Sequence, residues 1–389
     1  MESRTIRTAP EARAAAVGPR IDVVLLAAVF GLCALGVVMV YSSSAVSAAA
    51  RLGDGAYFLK RQLVAAAFGL GALLAVLKLG YRRLAFLAYP ALLVSIVLLV
   101  AVLLPGIGST AGGARRWIRL PGFSLQPGEL AKLGLVLYLA YSLAKKREKV
   151  KVFSIGFLPH CVITGLLALL VLGQPDFGSA VSLAVILFVL LFAAGTKLSY
   201  LVGSLLAALP FAYHLVASSP YRMKRIMAFL DPWTHRHDIG YQVAESLMSI
   251  GSGGLFGLGL GDGRQKLFFL PEAHTDFIFS IIGEELGLIG VVGVIALYAV
   301  VVWRGIRAAL NATEAFGTYL ALGITVLIGF QAVVNMAVAM GMLPTKGLTL
   351  PFVSYGGTSL VVSLAAAGVL LSISQSRGGF LRPQMGGAR

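Results

Sequence analysis

The chain has 389 residues, of which 58% are hydrophobic and only 12% are charged, and its mean hydropathy is +0.89. This composition excludes a water-soluble enzyme and a disordered chain, since soluble domains carry about 25% charged residues. The formal net charge is +16, with 32 basic and 16 acidic residues. The two cysteines, Cys33 and Cys161, both lie inside apolar runs, so the chain offers neither a disulfide framework nor a thiolate metal site.

Ten apolar segments follow one another along the chain, each close to the roughly 20 residues that a bilayer-spanning helix needs. They cover residues 23–46, 62–79, 84–104, 126–143, 154–172, 178–195, 199–217, 276–302, 316–342 and 357–374. We therefore predict an all-α polytopic membrane protein with ten transmembrane helices. A basic tail (1–22), a single membrane domain (23–374) and a short C-terminal tail (375–389) make up the chain.

The basic residues indicate the orientation of these helices. Ten spans place both termini on one side, and 18 of the 32 basic residues fall in the tails and short loops of that side. The positive-inside rule makes this side cytoplasmic, which predicts a multi-pass membrane protein with both termini inside. Because the net charge mostly reflects topology, we expect no nucleic-acid partner.

One connection is much longer than the others: residues 217–275 separate the seventh and eighth spans on the predicted outer side. Eight of the 16 acidic residues lie between Asp231 and Glu285. A solvated loop would explain any one of these charges. Loops longer than about 15 residues are usually functional or disordered, however, and the helical spacing of 239–250 is not typical of disorder. This extracytoplasmic loop is therefore the main candidate for function.

Seven glycines lie between Gly251 and Gly263 in this loop. Their backbone amides could cradle a phosphate group. The segment follows a helical stretch and not a strand, so neither the dinucleotide-binding fingerprint nor the P-loop pattern applies. Turn formation or close packing against a helix is the favoured interpretation.

Asp276 stands where the polar loop ends and an apolar helix begins. Thr275 or Asp276 could simply cap that helix. Alternatively, partial burial at the membrane rim would raise the pKa of the Asp276 carboxyl towards that of a useful general base. Glu284 and Glu285 follow in apolar sequence, where acidic side chains are costly unless they are paired or functional.

Three further groups of polar residues lie in the other predicted outer loops. Glu129 and Lys132 are three residues apart on a helix and are expected to form an ion pair, which leaves Arg116 available for phosphate. Asp176 lies in a tight turn, where capping is an equally good explanation. Residues 343–360 contain prolines and glycines that break a helix, and such backbone is tolerated in membranes only inside protein or along a cavity.

These motifs, in this order, resemble the SEDS family (shape, elongation, division and sporulation) over about 41–376. They are Arg116-Trp117 with Gln126-Pro127 and Glu129, the turn Gln174-Pro175-Asp176, the segment 271–279, and the run 343–347 continued by 354–357. The resemblance implies polymerisation of lipid II into a growing glycan strand, with a class B penicillin-binding transpeptidase (FtsI-like) and other divisome membrane proteins as partners. Residues 345–351 resemble the cell-division branch, FtsW, more than the rod-elongation branch, RodA, which places the protein at the septum.

The resemblance also implies site residues. Asp276 corresponds to the aspartate that the family is regarded as needing for catalysis. The candidates for binding substrate or pyrophosphate are Arg116, Glu129, Lys132, Asp176, Lys266, His274, Lys346 and Ser354. No residue is assigned as a metal ligand, although a divalent cation, Mg²⁺ or Mn²⁺, would help to neutralise a pyrophosphate.

Two other classes of function stay open on the sequence. A transporter could use intramembrane acids to move the lipid-linked precursor, but it should then place polar groups at the bilayer midplane, whereas the candidate residues lie at the outer rim. A scaffold for division proteins would tolerate replacement of Asp276. If the protein is a glycan polymerase, the alternative to a role in division is a role in rod elongation.

Overall fold

The computed structural model describes residues 21–111, 114–120, 123–238, 240–267 and 269–375. These residues form twelve α-helices and one three-stranded sheet. The helices are α1 (Val23–Leu52), α2 (Tyr57–Leu79), α3 (Ala88–Leu103), α4 (Pro127–Lys145), α5 (Leu158–Leu172), α6 (Phe177–Ala193), α7 (Leu198–Ala217), α8 (Pro220–Leu230), α9 (Tyr241–Ser252), α10 (Ile278–Leu310), α11 (Ala315–Ala339) and α12 (Gly357–Gln375). The predicted tails, 1–22 and 375–389, lie almost wholly outside the described residues.

All ten apolar segments are helical, as predicted, and correspond to α1–α7 and α10–α12. Seven helical segments of the described chain are long and apolar enough to cross a membrane; they include α1, α2, α10, α11 and α12. The other two are Tyr81–Leu103, which contains α3, and Phe153–Leu172, which contains α5. The remaining helices, α4, α6 and α7, have 19, 17 and 20 residues. The chain is therefore a polytopic helical membrane protein.

The centre of the bundle is formed by α4, α11 and α12. Most side chains of α11 and α12 are buried, whereas α2 exposes most of its apolar surface. Fourteen of the 19 residues of α4 are buried as well. Apolar side chains on the outer helices thus face the region that lipid would occupy, while the central helices carry the polar residues that meet the loops.

A small antiparallel sheet joins α3 to α4 and was not part of the all-α prediction. Its strands are β1 (Gly108–Ala111), β2 (Ala114–Leu120) and β3 (Phe123–Leu125), in the order β1-β2-β3. Ser109 pairs with Trp117, and Ile118 pairs with Leu125. Strands of three to seven residues are too short to show a clear alternation of apolar and polar side chains, so the sequence predicted only a loop here.

The glycine-rich segment packs against a break in α10. Gly287 has φ of +65° and interrupts the helix. The amides of Leu258 and Gly259 donate to the carbonyls of Glu284 and Glu285 at 2.9 and 3.1 Å. Carbonyls that the broken helix leaves unpaired thereby gain partners. A Cβ on Gly253 or Gly257 would collide with the carbonyl of Gly283 or Glu285, so the close approach needs glycine at these two positions. Close packing against a helix, the favoured interpretation of these glycines, is confirmed.

Candidate active site at the loop face

The sheet, residues 218–277 and residues 340–356 meet at one end of the bundle, which we call the loop face. Asp276 lies there, just before α10. The N-cap of α10 is Phe277, and no side chain caps the helix. Among the described residues the Asp276 carboxylate has no hydrogen bond or ion pair. The capping alternative for Asp276 is therefore wrong, and its carboxylate is left available for chemistry.

The backbone around Asp276 is held firmly. The carbonyls of residues 274, 275 and 276 accept hydrogen bonds from the amide of Tyr355 (2.9 Å), Oγ of Ser354 (2.5 Å) and Nδ2 of Asn335 (2.9 Å), respectively. Each donor comes from α11 or from the segment between α11 and α12. These hydrogen bonds fix the backbone that carries the Asp276 side chain and so limit where its carboxylate can lie.

The pKa of Asp276 is raised to about 7, chiefly by burial and in addition by the neighbouring Glu272 carboxylate. Arg116 and Arg225 act in the opposite direction, while Asp176 makes a small additional contribution that raises it. The side chain remains partly exposed, so it is both desolvated and accessible. A carboxylate with a pKa near neutrality is suited to general-base work at physiological pH.

Arg116, on β2, lies near the Asp276 carboxylate. Its Nε and Nη2 donate to the carbonyls of Gln174 (3.3 Å) and Pro175 (2.7 Å) in the turn before α6. Its Nη1 and Oδ2 of Asp276 each lie 3.3 Å from the point that a Cβ on Gly347 would occupy. The Arg116 guanidinium, the Asp276 carboxylate and the Gly347 backbone therefore border one small space.

Arg225 supplies a second guanidinium that the sequence did not single out. It lies on α8, and its Nη1 donates to the carbonyl of Thr345 at 2.8 Å. Its charge also lowers the pKa of Asp276, which indicates that the two side chains are near each other. In the sequence Arg225 is one of several cations in a long loop, and that pattern does not indicate which of them lies near Asp276.

Lys346 and Asp176 flank this site in different ways. The Lys346 ammonium lies over the ring of Phe177 at 5.2 Å, and burial lowers the pKa of this lysine. Asp176 caps α6: its two carboxylate oxygens accept from the amide and the hydroxyl of Ser179 at 3.0 and 2.8 Å. The capping interpretation of Asp176 is confirmed, and its carboxylate acts on the site through space only.

Glu129 and Lys132 form the predicted ion pair, with Lys132 Nζ 2.7 Å from Glu129 Oε1. Lys132 is fully buried and Glu129 nearly so. Both belong to the first turns of α4. In this arrangement the two charges compensate each other, and a role in binding pyrophosphate remains a prediction.

Lys266 lies elsewhere, beneath the glycine-rich segment. Its ammonium contacts Oε1 of Glu285 (2.6 Å), the carbonyl of Gly261 (2.6 Å) and Oγ of Ser42 (3.1 Å). These acceptors occupy all three of its donor positions. Lys266 thus fastens the loop to α10 and α1, and the structure does not bring it together with Asp276.

His274 and Ser354 support the turn that carries Asp276. The His274 ring packs against Phe58 and Tyr355, with centroid distances of 4.5 and 5.6 Å. Burial lowers the pKa of His274, which favours the neutral ring. Ser354 donates to the Thr275 carbonyl and accepts from a backbone amide of its own segment. Both residues therefore position the site in this structure.

The chain is similar to known proteins over nearly its whole length. The family model for cell cycle proteins of the FtsW, RodA and SpoVE group matches residues 23–378. A protein of Trichlorobacter lovleyi named probable peptidoglycan glycosyltransferase FtsW is 53% identical over 353 residues, which cover 91% of this chain and 93% of the relative.

Solved structures agree with this match. A chain from a peptidoglycan synthase complex, solved to show the coordination of polymerization and crosslinking, has a TM-score of 0.76 at 34% identity. The alignment covers 92% of this chain and 98% of that one. The rod shape determining protein RodA of Thermus thermophilus has a TM-score of 0.68, also at 34% identity, with 92% and 97% coverage.

The matched residues include all four motifs and every candidate site residue. The name of the Trichlorobacter lovleyi relative agrees with the branch that residues 345–351 favoured. The chain therefore belongs to the FtsW, RodA and SpoVE family of cell cycle proteins, the SEDS family that its motifs resemble.

Proposed function

We propose that this protein is a peptidoglycan glycosyltransferase that polymerises lipid II into glycan strands at the outer face of the cytoplasmic membrane. The observation that carries the proposal is Asp276: an unpaired, partly buried carboxylate with a pKa of about 7, flanked by the guanidinium groups of Arg116 and Arg225. The names of relatives at 51–53% identity support the same activity.

The geometry is consistent with a single displacement. The 4-hydroxyl of the acceptor sugar attacks the anomeric carbon of the donor, and Asp276 accepts the hydroxyl proton. The bond between that carbon and the pyrophosphate oxygen breaks, and its electron pair leaves with undecaprenyl pyrophosphate. Attack from the opposite face inverts the donor linkage. One base suffices because pyrophosphate is a good leaving group, unlike the leaving group of the glycosidases that need two carboxylates.

The cations around Asp276 would stabilise the departing pyrophosphate. Arg116 and Arg225 present planar guanidinium groups, which bind phosphate oxygens in pairs. Lys346 adds a point charge beside Phe177. Negative charge that grows on the leaving group is therefore met by fixed positive charge, the kind of electrostatic stabilisation that lowers a barrier most.

A divalent cation would act on the same pyrophosphate. Among the described residues, no three His, Cys, Asp or Glu side chains are grouped to hold a metal ion. Asp176 follows the turn that binds Arg116, and both of its carboxylate oxygens accept hydrogen bonds from Ser179. Any Mg²⁺ or Mn²⁺ would thus be brought by the substrate, and none of the steps above depends on it.

The cellular setting follows from the family. We propose a cytoplasmic-membrane protein with both termini inside, working at the division septum with a class B penicillin-binding transpeptidase (FtsI-like). The similarity to a chain of a peptidoglycan synthase complex supports a partner of this kind. Polymerisation by this chain and crosslinking by the partner would then occur in one assembly.

The deciding experiment measures glycan chains made from purified lipid II by this protein with its cognate transpeptidase. We expect Asp276→Asn to abolish polymer while the variant folds and binds its partner. Asp238→Asn, which removes an exposed carboxylate of the same loop, is the matched control and should retain activity. Equal polymer from wild type and Asp276→Asn would refute the catalytic assignment, and polymer from neither would favour transport or scaffolding.

A further inference from the structure

We propose that Asn335 is a positioning residue for the reaction: its side-chain amide holds Asp276 and the segment that carries Gly347 at a fixed separation. The inference rests on the proposed function of Asp276. Asn335 lies near the end of α11 and is 2% exposed. It was not among the residues that the sequence singled out.

The amide of Asn335 bridges two distant segments. Its Nδ2 donates to the carbonyl of Asp276 at 2.9 Å and to the carbonyl of Leu348 at 2.7 Å. Both neighbours are carbonyl oxygens and can only accept, so the NH₂ group must be the end that faces them. The two protons of one amide nitrogen are therefore both used on the site.

The bridge acts on the residues that border the reaction space. Leu348 follows Gly347, and a Cβ on Gly347 would lie 3.3 Å from both Nη1 of Arg116 and Oδ2 of Asp276. The hydrogen bonds from Ser354 and Tyr355 restrain the carbonyls of residues 275 and 274. Asn335 thus restrains the carbonyl of Asp276 itself, and it does so from a central helix.

Asn335 provides donors for two backbone carbonyls, but its own carbonyl oxygen carries a cost. Oδ1 of Asn335 is buried without a hydrogen-bond partner among the described residues. Such an orphaned acceptor weakens the fold, and a leucine of similar size would avoid it. The two hydrogen bonds to the carbonyls of Asp276 and Leu348 offset this cost.

The first test is Asn335→Leu, which keeps the volume and removes both donors. We expect kcat for polymerisation of lipid II to fall on the order of tenfold to a hundredfold, with KM little changed, because misplacing a base affects the chemical step. The charged groups that face Asp276, namely Glu272, Asp176, Arg116 and Arg225, stay in place. A loosened turn admits water, so the acid limb of the pH-rate profile should move to lower pH.

Gln331→Leu is the matched control. Gln331 lies one turn earlier on α11, is 3% exposed, and has an amide nitrogen without a partner among the described residues. It makes no hydrogen bond to Asp276 or Leu348, so Gln331→Leu should leave kcat and the acid limb unchanged. Equal effects of the two variants, or an unchanged pH-rate profile in Asn335→Leu, would overturn the proposal.

A second variant and a second measurement guard against misfolding. Asn335→Ser keeps one donor and should show an intermediate loss of kcat. The titration of Asp276 can also be followed without activity, through the infrared C=O band of its protonated carboxyl, identified as the band missing in Asp276→Asn. A lower titration midpoint in Asn335→Ser supports positioning even if the wild type makes no polymer; an unchanged midpoint refutes it.

Discussion

Arg116 and Asp276 approach the same face of Gly347, at 3.3 Å each from the position of a Cβ, yet they form no ion pair with one another. The reason lies in the turn before α6, whose carbonyls at Gln174 and Pro175 bind the Arg116 guanidinium. The carboxylate therefore stays free to take a proton, while the guanidinium lies close enough to meet an anion. In the proposed mechanism these two opposite charges would act on separate parts of one reaction.

Gly347→Ala tests this shared space. The new methyl group would lie 3.3 Å from both Nη1 of Arg116 and Oδ2 of Asp276, tighter than a relaxed contact. Because Gly347 has an ordinary backbone conformation, we expect the fold to persist and the rate of polymerisation to fall about tenfold or more. The measurement is kcat on lipid II together with the melting temperature.

Gly251→Ala is the control for that substitution. Gly251 lies in α9, and a Cβ there would meet no atom within 4 Å. It should keep full activity and gain slightly in stability, since alanine favours a helix over glycine by about 1 kcal/mol. Full activity in Gly347→Ala would show that this space is not used by the substrate.

The rate of polymerisation should depend on pH through Asp276. A general base acts when deprotonated, and burial raises the pKa of this carboxyl to about 7. The rate should therefore be low at pH well below 7, rise as the pH passes through about 7, and level off above it. Initial rates across this range, with lipid II well below its KM, give kcat/KM, whose midpoint reports the pKa of Asp276 in the free protein.

Glu272→Gln should move that midpoint to lower pH. The exposed Glu272 carboxylate repels the charged form of Asp276 and so contributes to its raised pKa. Removing the charge should increase the relative rate on the acid side while the plateau changes little. A midpoint that stays in place, or moves upward, would show that a different group controls the acid limb.

Lys266 and Glu285 should behave as a structural pair. Their side chains are 5% and 0% exposed, and Lys266→Met would leave the buried Glu285 carboxylate without its counter-ion, with hydrogen bonds only from Ser42 and the Gly261 amide. Breaking such a pair costs about 3–5 kcal/mol, so each of Lys266→Met and Glu285→Gln should lower the melting temperature. In the double variant the loss should be clearly smaller than the two single losses together.

The alternative for Lys266 is direct binding of pyrophosphate. In that case Lys266→Met would raise KM for lipid II at an unchanged melting temperature, and Glu285→Gln would show no coupling to it. Lys60→Met provides the comparison, because the Lys60–Asp54 pair is exposed and should contribute no more than about 1 kcal/mol.

The sequence by itself determined the ten helices and their membrane character. A bilayer-spanning helix needs about 20 consecutive apolar residues and satisfies its own backbone hydrogen bonds. This requirement can be recognised directly in the sequence. The Glu129–Lys132 pair could be predicted for the same reason, since helical spacing makes residues three apart neighbours. The motif around Asp276 likewise marked the site, because the boundary between polar and apolar sequence is local.

Only the tertiary structure decided what each polar side chain faces. Asp276 does not cap α10 although its position would allow it, because its backbone is held by α11 and the segment that follows α11. Arg225 and Asn335 reach the site from elements 51 and 59 residues away in sequence. Lys266, in contrast, turns towards Glu285. Such pairings depend on how helices and loops pack in three dimensions. A local pattern of residues does not determine which side chains, far apart in sequence, come into contact.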